Sequence, residues 1–406
     1  MRTKISVLPR YPKWNYFCPD MAGIYVHIPF CKQACHYCDF HFSTNLKFKS
    51  GLLDALRKEL SFQNDYLKGE IIDTIYFGGG TPSILSTPDI SDILETIHKN
   101  FRINSSAEVT LEANPDDLSK EKLHALKAIG INRLSIGIQS FDDHILKFLN
   151  RVHNVDMALD SVHGARDAGF ENISIDLIYA IPGQDMNAWE KNIAKAIELS
   201  PEHISSYALT IEEKTVFGKW VSQKKFTVPD NDASATEMMI LIEMLEASGY
   251  HHYEVSNFAK PGYISQHNSS YWRSQKYLGV GPSAHSYDGH SRQYNISNNH
   301  QYQQSIQSGK IPAAREVLSR GDKINDTILT SLRTSWGTDL EKLRVEHNYD
   351  LLYVHRAYVD HLIKGNLAIL VNEALILTKS GRLLADKIAS DLFAISIGES
   401  DDEGHL

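Results

Sequence analysis

The sequence predicts an α/β fold in which parallel strands are joined by crossover helices. Three observations carry that expectation. Short apolar, β-branched runs alternate with longer amphipathic stretches through the first half of the chain. Those stretches have the 3.6-residue apolar period of surface helices, and strand–helix alternation returns each strand parallel to the last by a right-handed crossover. Polar and glycine residues gather at the C-terminal ends of the runs, where parallel α/β folds build their sites.

The strands are expected at Gly23–Pro29, Ile72–Phe77, Glu108–Glu112, Arg133–Gln139, Asn172–Tyr179 and His203–Leu209. Between them, Leu52–Leu60, Pro88–Asn100, Lys120–Ile129, Val155–Ala168 and Met186–Leu199 read as helices. Six such units make a partial barrel or an open doubly wound sheet, and the pattern does not separate the two. Lys214–Pro229 is polar and strand-poor. Asp230–Ser248 reads as a helix, with Asp232 or Ser234 near its start and Gly249 beyond its end. Tyr253–Phe258 reads as a strand. From Glu316 onward come helices around Leu329, Leu340–Glu346 and Leu351–Lys364, strands Asn366–Val371 and Ala374–Leu377, and a helix Gly381–Phe393. That order resembles a small winged-helix domain. The expected division is a core over 21–250, a connecting region over 251–315 and a winged-helix-like domain over 316–396. Residues 1–20 carry Pro9, Pro12 and Pro19 without periodicity, while Met21 opens directly on a strand, so 1–20 are expected to be an extension or a translation-start artefact. The acidic tail 397–406 is expected to fray.

A chain of 406 residues, 42% hydrophobic, can bury a large core. Its net charge of −9 argues against general nucleic-acid affinity, and Lys379, Arg382 and Lys387 make only a modest basic face. No run approaches the roughly 20 apolar residues of a membrane span, and no signal-peptide pattern is visible. A cytoplasmic, thiol-reducing location is expected, with peripheral membrane contact left open.

Three of the four cysteines, Cys31, Cys35 and Cys38, fall within eight residues in a C-x3-C-x2-C run. Three thiolates can hold a four-iron cubane and leave one iron without a protein ligand. A closed structural zinc site wants a fourth ligand, which His36 or His41 can supply by spacing. Cys18 reads as a spare thiol. The strand ends add Gly78-Gly79-Gly80-Thr81-Pro82, Glu112-Ala113-Asn114, Gln139-Ser140, and Asp176 followed by Ile181-Pro182-Gly183. The glycine run lacks the lysine of a P-loop and the spacing of a dinucleotide fingerprint. It does allow close backbone approach to a ligand.

Strand one, the cysteine loop, the Gly-Gly-Gly-Thr-Pro turn and Asp-Leu-Ile-Tyr-x-Ile-Pro-Gly together resemble the radical S-adenosylmethionine superfamily. Within it they resemble the anaerobic coproporphyrinogen III oxidase family, from Met21 to about Phe393, and its haem chaperone branch in particular. The oxidase pattern continues C-x3-C-x2-C-x-C, whereas Phe40 stands two residues past Cys38. The resemblance implies a partial (βα)6 barrel, a [4Fe–4S] cluster on Cys31, Cys35 and Cys38, and S-adenosylmethionine held by Tyr25, Gly79, Gly80, Thr81, Glu112, Gln139, Arg151 and Asp176. Tyr37 lies between two of these cysteines, so its backbone can also touch the ligand, and Thr210 matches a further position weakly. The run His267-Asn268-Ser-Ser-Tyr271-Trp272 resembles the H-N-x-x-Y-W motif of the chaperone branch. It makes His267 a haem-ligand candidate, beside the reading of a structural histidine. His27 reads as a core histidine, and Trp272, Tyr271 and Tyr277 as packing. Two functions follow from the resemblance: a chaperone delivering haem to haem proteins such as respiratory enzymes, or a radical decarboxylase acting on coproporphyrinogen III. A nucleic-acid adaptor using the winged helix is a third class, disfavoured by the acidic charge.

Overall fold

The structure is a computed structural model describing residues 21–228 and 230–394. The expectations for 1–20, Cys18 included, and for 397–406 lie outside the described residues. The first half alternates strand and helix as β1 (Ala22–Ile28), α1 (Lys49–Phe62), β2 (Ile71–Gly79), α2 (Thr87–Asn100), β3 (Arg102–Ala113), α3 (Lys120–Ala128) and β4 (Arg133–Gln139). It continues with α4 (Asp143–Phe148), α5 (Val155–Asp167), β5 (Ile173–Tyr179), α6 (Met186–Leu199) and β6 (His203–Ala208). Strands such as β4 and β5 are buried along nearly their whole length, because the sheet is covered on both faces. Helix starts are capped by side chains, as where Ser86 and Asp89 form a reciprocal box on α2.

The six strands lie side by side in chain order, each parallel to the next. A doubly wound sheet reverses its order at a switch point. This sheet has no reversal, so all the crossovers wrap in one sense and the partial barrel is the observed alternative.

The second half builds outward from both edges. It holds α7 (Val216–Ser222), α8 (Asn231–Ala247), β7 (His251–Glu254), β8 (Asn257–Ala259), α9 (Gln266–Trp272) and β9 (Tyr277–Val280), then β10 (His285–Tyr287), β11 (Ser291–Asn295), α10 (Asn299–Gln307) and β12 (Ala313–Val317). β8 and β7 extend the sheet beyond β6; β9 pairs parallel to β1, and β10 to β12 follow antiparallel. Two expectations need correction here. Tyr253–Phe258 is two strands joined by a turn. The stretch 251–315 supplies strands to both sheet edges instead of connecting two domains. Its strands are three to five residues long and partly polar, too short for alternation to show. Lys214–Pro229 likewise contains a helix, α7.

The C-terminal unit comprises α11 (Arg320–Leu332), β13 (Thr338–Asp339), α12 (Leu340–His347), α13 (Leu351–Lys364), β14 (Ala368–Val371), β15 (Ala374–Leu377), α14 (Lys379–Arg382) and α15 (Ala385–Asp391). It has its own core around Ile328, Leu343, Val359, Leu375 and Leu392. Its element order and three-stranded antiparallel sheet are consistent with the winged-helix reading. The expected helix Gly381–Phe393 is broken into α14 and α15. Lys379 pairs with Glu246, Lys387 with Asp391, and Arg382 Nη1 donates to His252 O at 2.9 Å.

Candidate cofactor cavity

The C-terminal ends of the parallel strands open into one cavity of about 580 Å³. All three cysteines of the loop after β1 line it and are partly buried free thiols. Thr81 Oγ1 donates to Cys31 Sγ at 3.3 Å and Arg151 Nη1 to Cys35 Sγ at 3.4 Å. Both donors suit a sulfur that carries negative charge. Burial pushes the Cys31 and Cys38 thiols up to about 11, so loading a metal there releases protons.

Three thiols on one cavity wall suit a group with several metal atoms, each thiol meeting one of them. Among the described residues, no group of three or more His, Cys, Asp or Glu side chains is gathered closely enough to hold one metal ion. The two zinc-completing histidines are also turned elsewhere. The His36 Nδ1 nitrogen bonds Phe148 O at 3.0 Å, and His41 Nε2 bonds Asn299 Oδ1 at 2.7 Å.

The glycine turn ends β2 against β1. Gly79 has φ +108°, and a Cβ there would stand 2.6 Å from the His27 ring. At Gly80 a Cβ would meet Phe30 O at 2.7 Å. The turn's N–H groups are engaged inside the protein: Gly79 N donates to Glu112 Oε2 at 3.2 Å, Gly80 N to Ile28 O at 2.9 Å and Thr81 N to Phe30 O at 2.7 Å. Its remaining chemistry is that of carbonyls, which suits an ammonium group and no phosphate.

Two carboxylates stand deeper. Tyr76 OH donates to Glu112 Oε1 at 2.8 Å, and Ser135 Oγ donates to Asp176 Oδ1 at 3.3 Å. Burial raises Glu112 to about 7 and Asp176 to about 6. Each is poised to ionise when a cation enters. Gln139 adopts φ +70°, an unusual conformation for a residue with a side chain, which the end of β4 imposes where it faces the cavity. Arg151 Nη2 donates to Asn114 Oδ1 at 2.6 Å and to Gly137 O at 2.8 Å, while Asn114 Nδ2 donates to Thr81 Oγ1 at 3.3 Å. Asn114 therefore links the arginine to the glycine turn. It was noticed in the sequence only as part of a strand end.

The cavity wall thus includes Gly79, Gly80, Thr81, Glu112, Gln139, Arg151 and Asp176, together with Tyr37 and Thr210. Tyr207, which no motif marks, also faces it. Tyr25 does not reach the wall. Its ring lies behind Gly78, beside the stacked Tyr76–His267 pair at 6.1 Å and 6.4 Å, and its OH bonds His27 Nδ1 at 3.2 Å. His267 is likewise away from the cavity and only 1% exposed. The Nδ1 nitrogen bonds Thr74 Oγ1 at 2.7 Å and Nε2 bonds Tyr271 OH at 2.8 Å. Both ring nitrogens are engaged inside the protein, an arrangement in keeping with the structural-histidine reading. The partner residues of the motif behave differently: Asn268, Tyr271 and Trp272 line a second groove of about 1170 Å³ between α8, α9, the β7–β8 turn and α14–α15.

The sequence matches the family model described as Radical SAM superfamily over residues 25–196. It is 35% identical to the heme chaperone HemW of Bacillus subtilis, covering 93% of this chain and 100% of that protein. To the heme chaperone HemW of Lactococcus lactis it is 34% identical, covering 90% and 95%. The fold superposes on coproporphyrinogen III oxidase, HemN, of Escherichia coli with a TM-score of 0.79 and 25% identity, over 92% of this chain and 90% of that one. With near-complete coverage of a relative above 30% identity and a cysteine loop set over the cavity of a six-stranded parallel barrel, this chain belongs to the HemW family of the radical SAM superfamily.

Proposed function

We propose that the chain binds a [4Fe–4S] cluster through Cys31, Cys35 and Cys38, S-adenosylmethionine in the adjoining cavity, and haem, which it delivers to haem proteins such as respiratory enzymes. The observation that carries this reading is the meeting of three free thiols, two half-buried carboxylates and one arginine in one cavity at the strand ends. Bound there, a cubane with one iron free of protein ligands supplies an open coordination site and a single electron for a sulfonium. The chain's own residues then have defined tasks. Glu112 and Asp176 accept hydrogen bonds from an ammonium or ribose hydroxyls. Arg151, held by Asn114, offers its guanidinium to a carboxylate. Gly79, Gly80 and Thr81 shape the turn, and Gln139 and the backbone of Tyr37 complete the wall. Tyr25 acts from behind the turn.

For haem the second groove is the better place to look than His267. It offers Trp272 and Tyr271 as aromatic surface, and Arg333 and Arg382 as cations for propionates. Anaerobic preparation with iron, sulfide and haem analysis and an absorption spectrum tests both parts. Failure to form a cubane spectrum, or metal loading untouched by serine at all three thiols, removes the cluster. Haem that never binds stoichiometrically removes the chaperone role.

A second reading, oxygen-independent coproporphyrinogen III oxidase, is favoured by the superposition on that enzyme. Against it stands Phe40, 74% exposed where the oxidase pattern has a further cysteine. Anaerobic assay with coproporphyrinogen, reductant and S-adenosylmethionine decides; protoporphyrinogen formation would reverse the order.

A further inference from the structure

The cysteine loop has almost no regular structure of its own, yet its middle is held at many points. His36 N donates to Leu149 O at 3.2 Å, and Phe217 N donates to His36 O at 3.0 Å. Gln33 Nε2 donates to Asn150 O at 2.9 Å and Asn150 Nδ2 to Ala34 O at 2.7 Å. The His36 ring sits edge-on to Trp220 at 4.8 Å and to Phe217 at 5.7 Å. Behind these rings lies an apolar island separate from the main core. Ile145, Leu149, Ile178, Ile181 and Phe217 form it, with Tyr37, Phe148, Trp220 and Phe226 packed on it.

The island joins α4, the end of β5, α7 and the cysteine loop. The segment that carries α7 also contributes Leu209, Thr210 and Glu212 to the cavity wall. α7 therefore touches the loop from outside while its leading residues line the space inside.

We infer that α7 is a clamp, with Trp220 as its outer jaw, which holds residues 33–37 on the barrel rim and limits the exposure of the three half-buried thiols. Trp220 is a positioning residue: it reaches the loop through His36 and touches neither the thiols nor the cavity. Its protective effect on a bound cluster rests on the cluster reading given above; its effect on the thiols does not.

Trp220→Ala tests this because Trp220 is half-buried on the outer side of the island, whereas Phe217 is fully buried. In the metal-free full-length protein, alkylation of Cys31, Cys35 and Cys38 by iodoacetamide, read by peptide mass, is expected to speed up roughly tenfold, because lost ring contacts raise the open population of the loop. Trp220→Phe is expected to restore most of the protection. Tyr353→Ala, on a distant and 88% exposed ring, is expected to change nothing. In reconstituted protein, cluster absorbance in air is expected to fade several-fold faster in Trp220→Ala. Equal alkylation rates in parent and Trp220→Ala overturn the clamp. A parent protein that never loads a cluster overturns the cluster reading, and the alkylation comparison still decides the clamp. Should Trp220→Ala fail to fold, His36→Ala removes the same contact from the other side and is held to the same alkylation result.

Discussion

Burial raises the carboxyl of Glu112 to about 7 and that of Asp176 to about 6, and this sets a pH dependence for any cationic ligand. At pH 7 Glu112 then keeps its proton about half the time and Asp176 is mostly ionised, while at pH 6 both hold protons that a cation must displace. Affinity for S-adenosylmethionine is therefore expected to rise with pH, by roughly tenfold between pH 6 and 7 as Glu112 and Asp176 both ionise, and by only about twofold more to pH 8. Glu112→Gln is expected to abolish this slope near pH 7 and to weaken binding by roughly tenfold or more, the worth of a charge-assisted hydrogen bond. Calorimetric titration at pH 6, 7 and 8 checks both; a flat profile in the parent protein would remove Glu112 from the site. His267 calls for a different expectation. Both its nitrogens are spent on Thr74 and Tyr271, so His267→Ala is expected to destabilise the haem-free protein by about 2–4 kcal/mol, seen in urea unfolding. The cysteines, the glycines and the strand-end carboxylates were legible in the sequence because each is chemically distinctive at its position. Asn114 and Tyr207 were not, because an amide or a phenol at a strand end is ordinary until its partners are known.

At the scale of elements, the glycine turn and helix α1 show what local conformation controls. Gly79→Ala would place a Cβ against the His27 ring in a left-handed conformation. A loss of about 2 kcal/mol or more is expected in denaturant unfolding, along with weaker cofactor binding. Helix α1 is fastened to the later sheet by Glu59, whose carboxylate receives Gln63 Nε2 at 2.8 Å, Gly281 N at 2.8 Å, Asn295 Nδ2 at 2.7 Å and the Tyr302 hydroxyl. Burial nevertheless raises Glu59 to about 7, so the folded protein holds this proton where the unfolded chain has lost it. Stability is expected to fall as pH rises from about 4.5 to 7 and to level off above, the sign for a raised carboxyl pKa. Glu59→Gln is expected to flatten that part of the thermal-melting profile. Strands β1 to β6 were readable where their runs are buried and β-branched, and the polar first half of β3, Arg102–Ser106, was not. β7 to β12 were not, because short strands owe their pairing to neighbours far along the chain.

On the scale of the whole molecule, the C-terminal unit is seated on the sheet's β7 edge. Ser335 N donates to Tyr253 O at 2.8 Å, and Arg382 reaches His252. The groove beside this seam takes its walls from both parts, so ligand binding there depends on their docking. Trp272→Ala is expected to lower haem affinity by roughly tenfold, the worth of a buried aromatic contact, while iron and sulfide loading stay unchanged. Parallel haem titration and metal analysis of the two proteins separate the outcomes. Haem affinity equal to the parent's would move the haem site elsewhere.

From the amino acids alone one obtains the parallel α/β class, the cluster motif and the residues gathered at strand ends, since each depends on local pattern or on distinctive chemistry. Three matters depended on contacts between residues far apart in the chain. Consecutive strand order, with no reversal, separated barrel from doubly wound sheet. The placement of His267 between Thr74 and Tyr271, away from the cysteine cavity, is set by strands and a helix far apart in the chain. The aromatic island around His36 brought α7 onto the cysteine loop across some 180 residues of intervening chain. Hydrophobic periodicity shows which face of an element is buried, but its neighbour is chosen by the packing of the whole fold.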